Sequence, residues 1–378
     1  MSNSESNLLG VVDGIARDVV AAQAVRVDQE AAFPADAVAA LSNAGVLGLL
    51  SSREVGGPGH GPRVAALVVE RLARECSSTA MVVTMHFAGT AVLEKHGPEG
   101  VRRDVAAGKH LSTLAFSEQG SRSMFWAPVS SAEKGTDGSV VLNARKSWVT
   151  SANHATAYVW SSRPMSATDQ PSTIWLVPST APGLRIGAPF DGLGLRGNDS
   201  VPVTAEGTTL PGSAMLGEDG QGLSIMLGAA LPVFNLLSAA CSVGMMEAAV
   251  QRSAAHATGT RYEHTGSTLA DLPTLRAFIA RMRVATDATR CLMLDTAAAI
   301  ESERPDAMLR VLECKAAAGE SGAQVLDTAM RVCGGAAFRR EVGVERVFRD
   351  SRAANVMAPT TDQLYDFIGK AVCGLPVF

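Results

Sequence analysis

The stretch Phe348 to Leu364, FRDSRAANVMAPTTDQL, decides the fold of this chain. It has the pattern of a helix end, a short loop at Ala358-Pro359 and a second helix that opens at Thr360. Thr360 and Asp362 suit that opening, because their side-chain oxygens accept hydrogen bonds from free backbone N–H groups. The loop has the form of an active-site loop between two helices, yet its turn carries no acid or base.

The composition predicts a large globular protein. Of its 378 residues 47% are hydrophobic, which is enough to bury two or three packed layers or subdomains. The net charge is −4 and the charges are interspersed, so we expect no nucleic-acid partner. The six cysteines form no C-x-x-C pair and have no histidine at metal spacing, and the N-terminus resembles no secretory signal. These features favour reduced thiols, a cytoplasmic location and no metal site.

One segment, Leu227 to Met246, has the length of a membrane-spanning helix. Pro232, Asn235 and several serine and glycine residues interrupt it, and no basic or aromatic flanks mark a membrane interface. We therefore expect a buried helix of a bundle and no membrane association.

The periodicity of the apolar residues changes twice along the chain. Helical spacing gives way to short β-rich runs separated by turns, and the helical spacing then returns. This order predicts an α+β protein with a helical domain at 1–110, an antiparallel β domain at 111–221 and a helical bundle at 222–378. The chain has no strand-linked G-x-G-x-x-G and no G-x-x-x-x-G-K-[ST], so a Rossmann or P-loop core is not expected.

Three motifs, in this order, resemble those of the acyl-CoA dehydrogenase superfamily. FSEQGSRS at Phe116–Ser123 is similar to the loop T-E-P-G-x-G-S, and KSWVTSA at Lys146–Ala152 resembles K-x-W-I-T-N. RVCGGAAFRREVGVERVFRDSRA at Arg331–Ala353 resembles Q-x-x-G-G-x-G-[YF]-x-x-E-x-P-x-E-R-x-x-R-D-x-R without a gap. The resemblance implies an FAD flavoprotein with an N-terminal helical domain, a middle β domain and a C-terminal four-helix bundle.

By this resemblance the middle-domain motifs bind the flavin. An isoalloxazine ring needs an aromatic or apolar wall and a few hydroxyl and backbone donors at its polar edge. Phe116, Ser117, Ser123, Trp148 and Thr150 would supply them. Taken alone, Trp148 would be an ordinary core residue of a strand.

The C-terminal motif implies an oligomer. Its Gly334-Gly335 pair permits close backbone approach, and in the family this pair faces the FAD pyrophosphate of a neighbouring subunit, in a dimer or tetramer. The family glutamine is Arg331 here, whose guanidinium suits a pyrophosphate. The family element R-x-x-F-G-x-x-x-x-x-x-Q is degraded, with Arg261 and Gly266 retained. Thr360 matches a family threonine that faces the cofactor, and we expect it and Asp362 on the cofactor side.

The glutamate that removes the substrate α-proton in this family is missing. In most members it lies in the loop after R-D-x-R, where this chain has Ala358. In other members it lies on the first helix of the bundle, where this chain has Phe234. His86 is the remaining candidate base, although a histidine on an apolar helix is more often a core residue.

Three functions remain open. The first is an FAD-dependent oxidoreductase of an acyl thioester or carrier-protein substrate, with an electron-transfer partner and a non-standard catalytic group. The second is a monooxygenase that uses O2 and reduced FAD or FMN from a reductase. Pro359 and the tail IGKAVCGLP resemble that branch's H-D-P and G-x-W-x-x-N-G-x-x-P endings, but its histidine is Met357 here. The third is a non-catalytic flavin-binding subunit.

Overall fold

The structure is a computed structural model and describes residues 3–122, 124–135, 137–166 and 169–377. The N-terminal helices are α1 Asn3–Ile15, α2 Ala21–Gln29, α3 Ala35–Asn43, α4 Pro62–Glu75, α5 Ser77–His96 and α6 Glu99–Ala106. The strands are β1 Ser112–Ala115, β2 Ser131–Lys134, β3 Ser139–Val149, β4 Ala157–Ser162, β5 Thr173–Pro178, β6 Leu184–Ile186, β7 Val201–Pro211 and β8 Met215–Leu216. The C-terminal helices are α7 Gly222–Ile225, α8 Leu231–Gly259, α9 Pro273–Glu301, α10 Ala307–Cys333, α11 Val344–Ser351, α12 Ala353–Val356 and α13 Thr361–Val372.

The two helical regions share one core. Helix α5 is apolar on nearly all sides and is buried along most of its length, as expected for a helix surrounded by other elements. It packs against α4, α8 and β1, so it joins the N-terminal helices to both the bundle and the β domain. Helices α8, α9 and α10 pack against one another and form the body of the bundle.

The middle region consists of two four-stranded sheets, with strand orders β1-β4-β5-β8 and β2-β3-β7-β6. Their facing sides enclose a core that contains Tyr158, Trp160 and Trp175, all fully buried. All strand pairs are antiparallel except β1 and β4, which run parallel. The structure departs from the predicted antiparallel domain at this pair because the chain between β1 and β4 passes through the other sheet, and such a long crossover permits parallel pairing.

The apolar segment that resembles a membrane span belongs to the bundle. The run Gly222–Gly259 passes a test of length and composition for a spanning helix, and 61% of its most apolar window is buried inside the protein. A π-helical turn at Met226–Ala230 separates α7 from α8. Helix α8 packs against α4, α5, α9 and α10, so its apolar surface is used within the protein.

The order of elements confirms the predicted α+β architecture of helical region, β region and helical bundle. The boundaries after residues 110 and 221 stay a prediction. All six cysteines are free, and four of them are buried.

Candidate functional site

A cavity of about 770 Å³ lies where the three regions meet. Helix α5 supplies methionine side chains, the β region supplies aromatic and hydroxyl side chains, and the bundle supplies the start of α8 and the loop after α12. Its lining includes Met81, Met85, Leu114, Phe116, Ser117, Glu118, Arg122, Phe125, Trp148, Thr150, Leu195, Asn198, Ser200, Leu231, Phe234, Arg349, Arg352, Met357 and Ala358.

Four of the residues predicted to bind flavin come together in this cavity. Phe116 and Ser117 follow β1, while Trp148 and Thr150 lie at the end of β3, and all four belong to the lining. Ser123, the fifth, lies outside the described residues. The two middle-domain motifs therefore meet at one surface, although about thirty residues separate them in the sequence.

Trp148 is not a core residue of the strand. Its side chain is 57% exposed and stacks on Phe190, with ring centroids 4.0 Å apart. Its backbone has φ +57°, a conformation that costs a non-glycine residue about 1–3 kcal/mol and is concentrated at functional sites. The fold thus presents a large aromatic face to the cavity at some conformational cost.

The hydroxyl groups of Thr150 and Ser200 lie beside this aromatic face, 3.0 Å apart, and each is able to donate or accept. Gly194 lets the neighbouring loop lie against α11, because a Cβ at this position would meet the Arg349 main chain at 2.6 Å. A flat aromatic face, a hydroxyl pair and a closely packed loop fit the ring and polar edge of a flavin.

Glu118 is the carboxylate of this lining, and it is already engaged. Lys146 donates a hydrogen bond to its Oε1, and the Val129 and Ser130 N–H groups donate to its Oε2 at 2.6 and 2.9 Å. Burial opposes ionisation of Glu118, but the Lys146 charge and these hydrogen bonds hold its pKa below the usual range. An ionised carboxylate with its lone pairs committed to a buried ion pair is a structural group and a poor proton acceptor.

Both positions that the sequence resemblance assigns to the family glutamate face the cavity. Ala358 and Phe234 are lining residues, and neither has a group that takes a proton. The Ala358-Pro359 peptide bond is cis.

Behind this loop lies a residue that the sequence analysis missed. Lys315 of α10 is 2% exposed, and its Nζ donates to the Met357 and Pro359 carbonyls at 2.9 and 2.7 Å. Burial lowers its pKa to about 7. The sequence did contain one indication that Lys315 is buried. It lies on the apolar face of α10, in line with Leu312 and one turn from Gly319.

His86 is in a structural role and does not line the cavity. Its Nε2 donates to the Leu47 carbonyl at 2.8 Å, and its Nδ1 accepts from the Ser112 N–H at 3.1 Å. Both ring nitrogens are used, and burial lowers the histidine pKa to about 4. This geometry contradicts His86 as the base.

Thr360 and Asp362 lie next to the cavity loop but outside the lining. The Thr360 hydroxyl accepts from the Gln363 N–H, and the Gln363 side chain accepts from the Thr360 N–H, which forms a capping box for α13. The predicted helix start at Thr360 is therefore correct, whereas Asp362 is an exposed residue of the first turn and the partner in the cap is Gln363.

The remaining predicted cofactor residues lie on the protein surface, apart from the cavity. Gly334 and Gly335 end α10, and a Cβ at either would meet nothing within 4 Å. Arg331 is exposed and lies over the Phe278 ring at 4.5 Å. Arg261 is exposed and donates to the Gly266 carbonyl. These groups do not join the flavin-side residues within one chain.

The R-D-x-R part of the C-terminal motif is structural. Arg349 forms a two-pronged ion pair with Asp28 of α2, at 2.6 and 2.8 Å. Asp350 is buried, which raises its pKa to about 6, and its Oδ1 accepts from the Leu195 N–H at 2.6 Å. The Asp350 contact fixes α11 against the Leu195 segment of the cavity wall, and the Arg349 pair fixes it against α2.

Comparisons with known proteins agree with this fold. Family models of the acyl-CoA dehydrogenase N-terminal, middle and C-terminal domains match residues 2–108, 113–208 and 220–373. The human mitochondrial short-chain specific acyl-CoA dehydrogenase is 27% identical over 90% of this chain and 82% of its own length. A probable acyl-CoA dehydrogenase of Bacillus subtilis is 26% identical over 93% of each chain.

Solved structures resemble the whole chain. Butyryl-CoA dehydrogenase from Megasphaera elsdenii has a TM-score of 0.93 with 19% identity and 99% coverage of both chains. A prolyl acyl carrier protein oxidase has a TM-score of 0.90 with 19% identity, covering 98% of this chain and 99% of that one.

The three family models together account for nearly the whole chain, in the order that the sequence motifs predicted. The prediction of an FAD flavoprotein oxidoreductase is confirmed at the level of the family. This chain belongs to the acyl-CoA dehydrogenase superfamily of flavin-dependent oxidoreductases.

Proposed function

We propose that the protein oxidises an acyl thioester or carrier-protein-bound acyl substrate with FAD, without a carboxylate base at either family position. The observation that carries the proposal is the composition of one cavity. It combines the aromatic and hydroxyl groups of Trp148 and Thr150 with the uncharged side chains of Ala358 and Phe234. The cavity thus contains side chains that are predicted to bind the flavin, while the usual proton acceptor is absent from the described lining.

The chain's own residues have distinct roles in this proposal. Trp148 would support the face of the flavin ring, and the Thr150 and Ser200 hydroxyls would bind its polar edge. Met85, Leu231 and Phe234 would exclude water from the substrate side. FAD, when bound, supplies the two-electron acceptor.

The missing base restricts the substrate. The α-proton of a simple acyl thioester is weakly acidic, and without a positioned base its removal is slow. We therefore propose a substrate whose proton is more acidic than that one, or whose own functional group accepts the proton.

We also propose that the protein assembles into a dimer or a tetramer. Gly334 and Gly335 are exposed and open, and Arg331 lies beside them. We propose that they bind the FAD pyrophosphate of a neighbouring subunit, as the family resemblance implies. We also propose a cytoplasmic location, which the six free cysteines favour, and an electron-transfer partner that reoxidises the flavin.

A reduced-flavin monooxygenase is the second candidate. It is favoured by the same cavity, because reaction of reduced flavin with O2 requires no carboxylate at Ala358 or Phe234. FMN or FAD delivered by a reductase would then replace a permanently bound FAD.

One set of assays separates these candidates. The FAD-loaded protein is mixed anaerobically with acyl-CoA esters of several chain lengths and with acyl carrier proteins, and flavin absorbance is followed. Bleaching without a reductase supports the oxidoreductase. Product that requires both a reductase and O2 supports the monooxygenase, and no turnover in either assay supports a binding subunit.

A further inference from the structure

We propose that the cavity takes a substrate that carries a carboxylate, and that this anionic group binds at the end formed by Ala358 and Phe234, in front of the Lys315 ammonium. This inference narrows the substrate class of the proposed function and rests on it, since it takes the cavity as the substrate site.

The first observation is the position of the ammonium group. Lys315 lies directly behind the loop, since the carbonyls it binds belong to the residues on either side of Ala358. Its Nζ also lies 5.9 Å from the centroid of the Phe234 ring. The charge is thus held behind the two lining residues that occupy the family glutamate positions.

The second observation is that this charge has no counter-charge. An ammonium has three N–H donors, and carbonyls accept two of them here. No carboxylate among the described residues forms an ion pair with Lys315, and the downward shift of its pKa comes from burial. A buried charge without a partner is costly, and a ligand that supplies the opposite charge removes part of that cost.

The third observation concerns the charges of the rest of the cavity. Arg349 and Arg352 of its wall pair with Asp28 and Asp327. Arg122 has no hydrogen bond or ion pair within the described part of the chain, although it belongs to the lining.

The one carboxylate among the described lining residues, Glu118, is neutralised by Lys146. Positive charge at the cavity therefore comes from Lys315 behind its wall and from Arg122, an exposed residue of its lining, and the described lining has no free negative charge. Electrostatic complementarity favours an anionic ligand.

A pair of probes of equal shape tests the proposal directly. Hexanoate and hexanamide fit the apolar lining equally and differ in charge, and their binding to the FAD-loaded protein is measured by isothermal titration calorimetry. At a pH below 7, where Lys315 is protonated, we expect hexanoate to bind about tenfold more tightly or better, since the lysine charge attracts a carboxylate through the desolvated wall formed by Ala358 and Phe234. Equal affinities would overturn the proposal.

Substitutions locate the preference. Lys315→Met is expected to bring the hexanoate-to-hexanamide affinity ratio close to one, and Lys315→Arg, which keeps the charge, to retain it. The control is Lys370→Met on α13, which removes a lysine that pairs with Asp366 outside the lining and is expected to leave the ratio unchanged. A ratio that survives in Lys315→Met would refute the role of this residue.

Ala358→Glu tests the same point without removing the lysine. The new carboxylate supplies the missing counter-charge, so the affinity ratio should fall to about one, while hexanamide reports any steric loss. An unchanged ratio would argue against the site.

The bound cofactor is the other possible source of negative charge. If the carboxylate preference appears in the FAD-free protein and vanishes on loading with FAD, the positive charge serves the cofactor phosphates and the proposal is wrong. Failure of the proposed function would give a different result. No acyl substrate would then bleach the flavin, whatever the affinities of the two probes.

Discussion

At the scale of single residues, Trp148 is the clearest link between sequence motif and site. Its exposed ring and its positive φ both depend on the backbone turn at the end of β3. The ring stacks on Phe190 but remains largely exposed, so contact with a ligand would bury apolar surface and favour binding.

We therefore expect Trp148→Ala to weaken FAD binding about tenfold, which corresponds to roughly 1.4 kcal/mol of lost aromatic contact. Trp148→Phe keeps a flat ring and should lose much less. Affinity is measured by titrating FAD into the apo-protein and following flavin fluorescence. Equal affinities of wild type and Trp148→Ala would show that the ring does not contact the flavin.

Lys315 gives a prediction about stability and pH. Its pKa is about 7 in the folded protein and 10.5 in the reference state, so the unfolded chain binds more protons between these values. Folding stability should consequently rise with pH between about 7 and 10.5 through this residue, and fall as the pH drops towards 7. Lys315→Met should remove that part of the slope.

Melting temperatures of wild type and Lys315→Met across this pH range provide the measurement. Lys370→Met serves as the control, because Lys370 lies on a more exposed helix face and pairs with Asp366. If the slopes of wild type and Lys315→Met coincide, the lysine is charged in the folded protein throughout the range.

At the scale of elements, a buried ion pair joins the two middle-domain motifs. Lys146 of β3 donates to Glu118 of the loop after β1 and also to the Ser161 carbonyl of β4 at 2.6 Å. The pair fixes the loop that brings Phe116 and Ser117 to the cavity wall. Both side chains are fully desolvated, so the loss of either leaves a buried charge without its partner.

Glu118→Gln should accordingly destabilise the protein by about 3–5 kcal/mol and loosen the cavity wall. Glu206→Gln is the matched control, since the Arg185–Glu206 pair is exposed and contributes about 0–1 kcal/mol. Urea unfolding followed by circular dichroism measures both changes. A similar small loss in the two variants would mean that Lys146 finds another counter-charge.

Motif order was enough to predict the architecture. Trp148 and Thr150 were expected at the flavin from their motif, Ala358 and Phe234 were expected at the active site from the family resemblance, and all four line one cavity. The burial of Lys315 could not be predicted from the sequence, because helical periodicity identifies an apolar face but not which side chains of that face become buried. The hydrogen bonds of the two His86 nitrogens could not be predicted either, because their partners, Leu47 and Ser112, come from distant segments.

At the scale of the whole molecule, most of the predicted cofactor groups in the described part of the chain fall into two sets. One set lines the cavity, while Gly334, Gly335, Arg331 and Arg261 lie on the surface. A single chain does not unite them around one FAD. A second copy of the chain would do so if its surface set covered the open end of the cavity, which makes cofactor binding and assembly parts of one equilibrium.

Gly335→Leu tests this coupling. Its Cβ meets nothing within 4 Å in the single chain, so the substitution should leave the fold intact and disturb what lies against this surface. We expect a smaller oligomer and a lower ratio of FAD to protein. Gly100→Leu is the control, because this glycine is equally open and lies on α6, far along the chain from the glycine pair. Light scattering and the flavin absorbance ratio measure both quantities. If Gly335→Leu retains the mass and the FAD content of Gly100→Leu, the glycine pair faces solvent, and each chain holds its cofactor alone.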